Sequence, residues 1–429
     1  MGLEIDPKNR NMLAQYIQSS APERFVRCAT QVGWCGQSFV LPDEAIGPDA
    51  SELVFQGVEQ LGADYRRQGT LEGWKSEVSS LAPGNPILVL AIATAFAGPL
   101  IRRCNMESGG LHLFGDSSTG KTGAIEAACS VWGGPEHKRT WRATSNGMEG
   151  AAVLYNDGLL ALDEISECDP REVGAIIYAL GNGVGKQRAS RSGAARAVRR
   201  WSVAVLSNGE RTIETSMHEG GLRAKAGQIV RVLDICAMRK HGAWDDLRGH
   251  SSGAAFTNAL KTAARSNYGH AGRKFLEHLV EDERDLCEML EGWLLKPEFS
   301  RVTGQHQRAA ARLALVGFAG ELASEYGVTS WPTGTAMGAA VDALESWCDS
   351  RDAAPRERYE VLNQVAAFIN RHGDSRFSSR DGERVAIRDR AGWWRDEGGR
   401  RLFMFTSEAM REAVKGHDLK RALDYLEES

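Results

Sequence analysis

Four short, mainly apolar segments between residues 84 and 240 constrain the fold more than any other feature of this sequence. They are GLHLFG (110–115), GLLALDE (158–164), WSVAVLSN (201–208) and QIVRVLDI (228–235). Strands that are buried on both faces of a parallel sheet have this pattern, because helices cover both faces. The stretches between these segments have helical apolar spacing. The sequence therefore predicts an α/β core with a parallel sheet flanked by helices.

The rest of the 429-residue chain is divided around this core. We expect a small mixed α+β segment at 1–83, the core at 84–240 and a mainly helical region at 241–350. RDAAPRER (351–358) is interpreted as a linker. The order helix, β-hairpin and helices predicts a winged-helix-like domain at 351–429, and a truncated form of it is one alternative.

Composition excludes several classes of protein. A net charge of −4 argues against a uniformly basic surface, so any nucleic-acid site must be local. Eight cysteines without CxxC spacing favour buried thiols in a reducing cytoplasm over a zinc site or disulfides. The apolar run at 86–101 is shorter than the roughly 20 residues that cross a bilayer, so we expect a core helix and no membrane association.

GDSSTGKT, at residues 115–122, matches the phosphate-loop pattern GxxxxGK[ST] between a predicted strand and a predicted helix. Its backbone N–H groups would surround the phosphates of ATP, Lys121 would contact the β- and γ-phosphates, and Thr122 would bind Mg²⁺. The predicted nucleotide-binding residues are Gly115, Asp116, Ser117, Ser118, Thr119, Gly120, Lys121 and Thr122.

Polar side chains end two further predicted strands. Asp163 is predicted to bind Mg²⁺ and Glu164 to polarise the attacking water, a pairing that indicates an ATPase. Asn208 ends a strand that we expect between the other two, where its amide could orient that water. The alternatives are that Asp163 and Glu164 merely open a loop, and that Asn208 forms a turn with Gly209.

Together with the phosphate loop, LLALDE, VAVLSN and GQIVRVLDI resemble, in this order, the core of an AAA+ ATPase. The chain is similar to P-loop ATPases of prophages and genomic islands, including replicative helicases of cassette chromosomes, which are related to the MCM and superfamily-three helicases. The stretches GWCGQSFVLPDEAIG (33–47), GTLEGW (69–74), SSTGKT (117–122) and GELASEYG (320–327) carry this resemblance, which covers roughly 30–345.

The resemblance implies roles for several arginines. Arg231 matches an arginine finger that reaches the γ-phosphate bound by a neighbouring subunit, with Arg223 as a rival. Arg308 or Arg312, one helical turn apart, matches a sensor-two arginine, and Arg308 matches slightly better. Surface salt bridges are the alternative for each of these residues.

Residues 173–209 contain no Asp or Glu and include a basic stretch that can form a β-hairpin with its turn at Ser192-Gly193. In the resembled helicases a hairpin at this place enters the pore of a ring and contacts DNA. The predicted DNA-binding residues are Lys186, Arg188, Arg191 and Arg196. A solvated loop, or contact with a neighbouring subunit, is the alternative.

The sequence thus predicts an ATP-hydrolysing DNA helicase that binds single- or double-stranded DNA and forms a ring, with a hexamer expected. The resemblance implies replication of a mobile genetic element and a primase or other replication partner. A non-translocating AAA+ loader or remodelling switch is the main alternative, and an inactive nucleotide-dependent scaffold is a third.

Overall fold

The computed structural model describes residues 10–20, 25–57, 61–187, 198–222, 224, 226–302, 304–380, 387–398 and 400–427. These residues form two compact units, Met1–Ser346 and Trp347–Ser429. The finer division into four domains stays a prediction.

The helices and strands of the first unit are α1 Arg10–Ser19, β1 Arg27–Ala29, β2 Gly33–Cys35, β3 Ser38–Val40, β4 Ala45–Ile46, β5 Leu53–Phe55, α2 Leu61–Asp64, α3 Leu71–Glu77, α4 Pro86–Arg103, β6 Gly109–Phe114, α5 Lys121–Cys129, β7 Arg139–Thr140, α6 Ser145–Leu154, β8 Gly158–Asp163, α7 Pro170–Asn182, β9 Val203–Gly209, α8 Ile213–Glu219, α9 Ala226–Ile229, β10 Val232–Cys236, α10 Gly253–Ser266, α11 His270–Glu281, α12 Leu286–Leu294, α13 Pro297–Ser300 and α14 Gln305–Glu325. Helix α15 Thr335–His372 crosses the boundary, and the second unit continues with β11 Phe377–Ser379, β12 Gly392–Glu397, β13 Arg400–Phe405, α16 Ser407–Ala413 and α17 Leu419–Glu427.

A five-stranded parallel sheet in the order β10-β6-β9-β8-β7 is the centre of the first unit. All four predicted strands belong to it, and β9 lies between β6 and β8 as predicted. Apolar side chains fill both faces, since β6, β8 and β9 are almost entirely buried. The sequence did not predict the edge strand β7, because a strand of two residues is too short to show a pattern of apolar side chains.

The apolar run that was predicted to be a core helix forms α4. It begins with Pro86 at its first turn, a favoured position for proline, and residues 87–101 are all buried. Gly98 allows α4 to approach the sheet closely, because a β-carbon there would lie 2.6 Å from the backbone of Gly158. Among the described residues, α4 is the one helix that is long and apolar enough to cross a membrane.

Among the described residues, the N-terminal part of the first unit contains five short strands, β1 to β5. Strands β2, β3 and β4 form an antiparallel sheet, and β1 pairs in parallel with β5. Arg273 on α11 fixes this part to the helical region. Its guanidinium donates to Asp43 at 2.8 Å, Glu44 at 2.5 Å and the Tyr65 carbonyl at 2.8 Å.

The second unit has its own core and the predicted hairpin. Strands β12 and β13 pair antiparallel from Gly392–Phe405 to Glu397–Arg400, and β11 adds in parallel to β12. Because side chains alternate along a strand, Trp394 packs on the core while Trp393 is 39% exposed on the other face. Trp394 therefore belongs to the core of the second unit, and Trp393 does not.

The predicted linker at 351–358 is wrong. These residues continue α15, which runs without a break for 38 residues. A proline inside a helix removes one backbone hydrogen bond, but the alanine, arginine and glutamate residues around Pro355 are good helix formers.

A buried polar chain connects the middle strands. The Trp141 indole N–H donates to Ser207 Oγ at 2.8 Å, the Ser207 hydroxyl donates to His112 Nδ1 at 2.8 Å, and His112 Nε2–H donates to the Arg211 carbonyl at 2.8 Å. A neutral imidazole satisfies every member of this chain. Burial lowers the pKa of His112 to about 4.

His112 should make stability decrease as the pH falls from 6.5 to 4. The folded-state pKa of about 4 lies below the unfolded value of about 6.5, so unfolding takes up a proton in this window. The stabilisation, on the order of 3 kcal/mol, is complete above pH 6.5. Denaturant titrations at several pH values should give the His112→Asn variant a slope that is lower by up to about 1.4 kcal/mol per pH unit. Equal slopes would contradict the prediction.

Candidate functional site

The predicted phosphate loop connects the carboxyl end of β6, the strand next to the central strand β9, to α5. Three of its residues have positive φ angles, namely Gly115 (152°), Ser118 (59°) and Gly120 (110°). These angles turn the chain tightly enough for α5 to begin at Lys121 directly after the loop. The N-terminus of α5 therefore lies at the loop, where backbone N–H groups favour an anion.

A segment far along the chain supports this loop. The indole of Trp244 packs against Gly120, where a β-carbon would lie 2.7 Å from Cζ2, and its Nε1 donates to Thr257 Oγ1 at 2.9 Å. The Ala243 N–H donates to the Thr119 carbonyl at 2.8 Å. Sequence reasoning missed these residues, because no motif connects them with the loop.

The side chain of Lys121 is buried against the backbone of the phosphate loop. Its ammonium group donates to the carbonyls of Gly115 at 2.7 Å and Asp116 at 2.5 Å. Burial lowers the pKa of Lys121, while the charge of Glu164 opposes this shift. The ammonium thus lies where the loop would hold a phosphate.

Three predicted residues from three elements converge beside Lys121. The Asn208 amide donates to Asp163 Oδ1 at 2.9 Å and to Thr122 Oγ1 at 3.3 Å, and the Thr122 hydroxyl donates to the same Oδ1 at 3.3 Å. Asn208 is 1% exposed and lies within β9, so it is a buried strand residue and not the turn residue of the alternative interpretation. Parallel pairing of β6, β9 and β8 brings the ends of these strands together.

Glu164, which directly follows β8, has an unusual backbone conformation. Its φ is 58°, a left-handed value that is rare for a residue with a side chain and is concentrated at functional sites. The Glu164 N–H donates to Asn208 Oδ1 at 2.7 Å. Its carboxylate accepts from the Ser166 hydroxyl at 2.7 Å and from the Ser166 N–H at 3.3 Å.

One charged neighbour was not predicted. Lys138, just before β7, places its ammonium 2.6 Å from Asp163 Oδ2. Nothing in the sequence marked this lysine, because its position depends on the pairing of a two-residue edge strand with β8.

The residues present fit a Mg²⁺ ion bound together with a nucleotide. Thr122 and Asp163 supply hydroxyl and carboxylate oxygens, the ligand type that Mg²⁺ prefers. Over the described ranges, no three or more His, Cys, Asp and Glu side chains are grouped as a metal site. A Mg²⁺ ion here would therefore take its remaining ligands from phosphate and water.

Three of the four arginines predicted from the resemblance, Arg231, Arg308 and Arg312, lie together at the amino ends of the strands. Arg231 directly precedes β10, whose Val232 pairs with Gly110, so it lies roughly 17 Å from the phosphate loop. Arg312 is buried and donates to the carbonyls of Ser108 at 3.2 Å and Val230 at 3.4 Å. Burial lowers its pKa to about 10, and the charges of Arg231 and the exposed Arg308 act in the same direction.

Arg231 is fixed within its own chain. Its guanidinium donates to Asn182 Oδ1 at 2.8 Å and to the Gly227 carbonyl, and it lies 4.7 Å above the centre of the Tyr178 ring. None of these contacts involves the phosphate loop. A cavity of about 820 Å³ adjoins it, lined in part by Arg102 and Trp201.

The base of the predicted basic hairpin is paired. Gly185 N–H donates to the Arg199 carbonyl at 2.9 Å and Trp201 N–H to the Gly183 carbonyl at 3.0 Å, so the two arms run antiparallel. The ammonium of Lys186 donates to Ser145 Oγ at 3.4 Å. The predicted DNA-binding residues Arg188, Arg191 and Arg196, and the rival finger Arg223, lie outside the described residues.

The comparisons with known proteins agree with this fold. A family model for a domain of unknown function, DUF927, matches residues 1–200, somewhat less than half of the chain. The solved structure titled SCCmec type IV Cch, active helicase, matches over 98% of this chain and 78% of that one, with a TM-score of 0.62 and 16% identity. NtrX from Brucella abortus in complex with ATP matches over 77% of this chain and 65% of that one at 14% identity, with a TM-score of 0.23, which is too low to indicate a common fold. No curated protein matches the sequence.

The match to Cch shows a helicase-like fold. The match covers nearly the whole length of the chain. At 16% identity the likeness concerns the fold and does not by itself assign an activity.

Gly120 provides a test of the candidate site. An alanine there would combine a left-handed φ with a contact 2.7 Å from Trp244, so Gly120→Ala should weaken ATP binding at least about tenfold through distortion of the loop. Gly249→Ala is the matched control, because Gly249 also has a positive φ (82°) but nothing within 4 Å of the added carbon. Nucleotide titration of both variants is the measurement, and equal losses would contradict the prediction.

Proposed function

We propose that this protein is an ATP-hydrolysing, ring-forming DNA helicase or translocase that serves replication of a mobile genetic element. The observation that carries the proposal is the convergence of Lys121, Thr122, Asp163 and Asn208 at one edge of a parallel sheet, within a helicase-like fold. The proposed cofactors are ATP and Mg²⁺.

Each polar residue at this edge has a task that follows from its position. The loop N–H groups and Lys121 bind the phosphates, and Thr122 with Asp163 would hold Mg²⁺, which would neutralise negative charge on the phosphates. Glu164 polarises the attacking water. Asn208 bonds both the Asp163 carboxylate and the Glu164 backbone, so it fixes the two carboxylates relative to each other and is placed to orient the water.

A ring of subunits explains why the arginines lie far from the loop. In a head-to-tail ring, the end of the sheet that carries the phosphate loop faces the opposite end of the sheet in the next subunit. Arg231 and one of Arg308 and Arg312 would then act on the nucleotide of the neighbour. The exposed Arg308 is the better candidate, because all the described contacts of Arg312 are with backbone carbonyls of its own chain.

DNA is proposed as the partner because positive charge is concentrated in one place. The hairpin whose base is formed by Gly183–Gly185 and Arg199–Trp201 would carry Lys186, Arg188, Arg191 and Arg196 toward the DNA backbone. Contacts of this type are independent of sequence, which suits a translocating motor.

ATP turnover with and without single-stranded DNA, on protein whose mass in solution is monitored, tests the function. We expect a ring-sized assembly whose turnover DNA stimulates, and at least about a hundredfold loss in Lys121→Ala because the phosphate contact is lost. Lys274→Ala, which removes an exposed lysine paired with Glu277, is the control and should match wild type. Turnover that is indifferent to DNA would favour the loader or remodelling switch, and no turnover in any assembly would refute the proposal.

A mixing experiment tests the shared site. Lys121→Ala and Arg231→Ala should each be inactive alone, because one lacks a functional loop and the other the trans arginine. Mixed at equal amounts, they should recover a measurable fraction of turnover, since some interfaces then combine an intact loop with an intact Arg231. Arg171→Ala, at an exposed arginine of α7 paired with Asp169, should behave as wild type. Absence of any recovery would show that Arg231 does not act in trans.

A further inference from the structure

Lys138 contacts the carboxylate that is proposed to hold Mg²⁺. Its Nζ lies 2.6 Å from Asp163 Oδ2, and both side chains are largely buried, at 22% and 17% exposure. Strand pairing fixes the approach, because Arg139 and Thr140 lie opposite Leu162 and Asp163. The contact is therefore set by the sheet.

The two oxygens of Asp163 face different partners. Oδ1 accepts from Asn208 at 2.9 Å and from Thr122 at 3.3 Å, on the side of the phosphate loop. Oδ2 accepts from Lys138. Lys138 thus determines which oxygen is directed toward Thr122, the other proposed Mg²⁺ ligand.

A second carboxylate lies near the same ammonium but does not depend on it. Glu126 Oε1, on α5 one turn after Thr122, is 3.7 Å from Lys138 Nζ. Glu126 also pairs with Arg265 at 3.0 Å and with Lys261 at 3.7 Å, both from α10. Two other cations therefore already compensate the charge of Glu126. Lys138 also lies closer to Asp163, at 2.6 Å, than to Glu126, at 3.7 Å.

We propose that Lys138 is a positioning residue that sets the affinity of the site for divalent cations. It holds Oδ2 so that Oδ1 is presented beside Thr122, and its positive charge, on the same carboxylate, opposes a second cation. Mg²⁺ then binds firmly only when the phosphates of a nucleotide add negative charge. This inference rests on the proposed function, in which Asp163 and Thr122 are the Mg²⁺ ligands.

Charge at short range is the physical basis. A cation that shares a carboxylate with Mg²⁺ lies within a few ångströms of it, where partly buried charges interact strongly and salt screens them little. Groups that contact a metal ligand usually orient it, and their loss typically weakens metal binding by about 10- to 100-fold. Here the charge effect opposes the orientation effect, and at this distance we expect the charge effect to be larger.

The test measures Mg²⁺ binding rather than turnover. Full-length wild type, Lys138→Met and Lys138→Arg are titrated with Mg²⁺ in the presence of a fluorescent ADP analogue, and the affinity for the analogue is also measured in EDTA. Lys138→Met removes the charge and keeps the aliphatic length, so the Mg²⁺ concentration at half-saturation should fall about tenfold. Lys138→Arg keeps the charge and should stay within about threefold of wild type.

Lys261→Met is the matched control, because it removes the same charge from Glu126 but has no contact with Asp163. It should leave the Mg²⁺ half-saturation unchanged. An unchanged value in Lys138→Met, or an equal shift in Lys261→Met, would overturn the proposal and leave Lys138 as a structural ion pair. If Lys138→Met does not fold, Lys138→Gln serves in its place.

A double variant separates this proposal from the proposed function. In Asp163→Asn the carboxylate is lost, so adding Lys138→Met should produce no further shift. Wild-type binding that does not depend on Mg²⁺ would refute the assignment of Asp163 and Thr122, and this inference with it. Binding that depends on Mg²⁺ without a shift in Lys138→Met would refute only the role of Lys138.

Discussion

Parallel pairing of β6, β9 and β8 is the constraint on which the rest of the site depends. Because the strands run in one direction, their carboxyl ends lie at one edge, and Asn208 lies between the phosphate loop and Asp163. Its amide bonds to Thr122, Asp163 and the Glu164 N–H, which come from two segments, the start of α5 and the end of β8. The buried faces of these strands, covered by α4 among others, supply the rigidity that holds such distances.

The same sheet separates three of the predicted arginines from the phosphate loop. Arg231, Arg308 and Arg312 lie at the amino end of the strands, where α7 ends and the basic hairpin begins. Asn182, the last residue of α7, bonds Arg231 and directly precedes the hairpin base at Gly183–Gly185. The proposed trans arginine and the proposed DNA contact are thus connected within one subunit by a single packed helix end.

The sequence was informative where a local pattern determines the structure. Apolar strands followed by polar residues located Lys121, Asp163 and Asn208, because parallel strands must bring their ends together. Lys138 and Trp244 were not predicted, because each lies at the site through tertiary contacts that the spacing of residues in the sequence does not indicate. The hairpin of the second unit followed from its turn residues, but which face of it is buried depends on the packing of α15, α16 and α17, and this separates Trp393 from Trp394.

The charged groups of the site also show how a chain can fold with so many charges in one place. Lys121 has the loop carbonyls, Asp163 has Lys138 and Glu164 has Ser166 as partners. A buried charge without a partner costs several kcal/mol, so these contacts remove a penalty that would otherwise oppose folding. Ligand binding at such a site exchanges one set of partners for another. Its affinity is then a difference between two sets of contacts, and a residue such as Lys138, which bonds a ligand group without being a ligand itself, alters that difference directly.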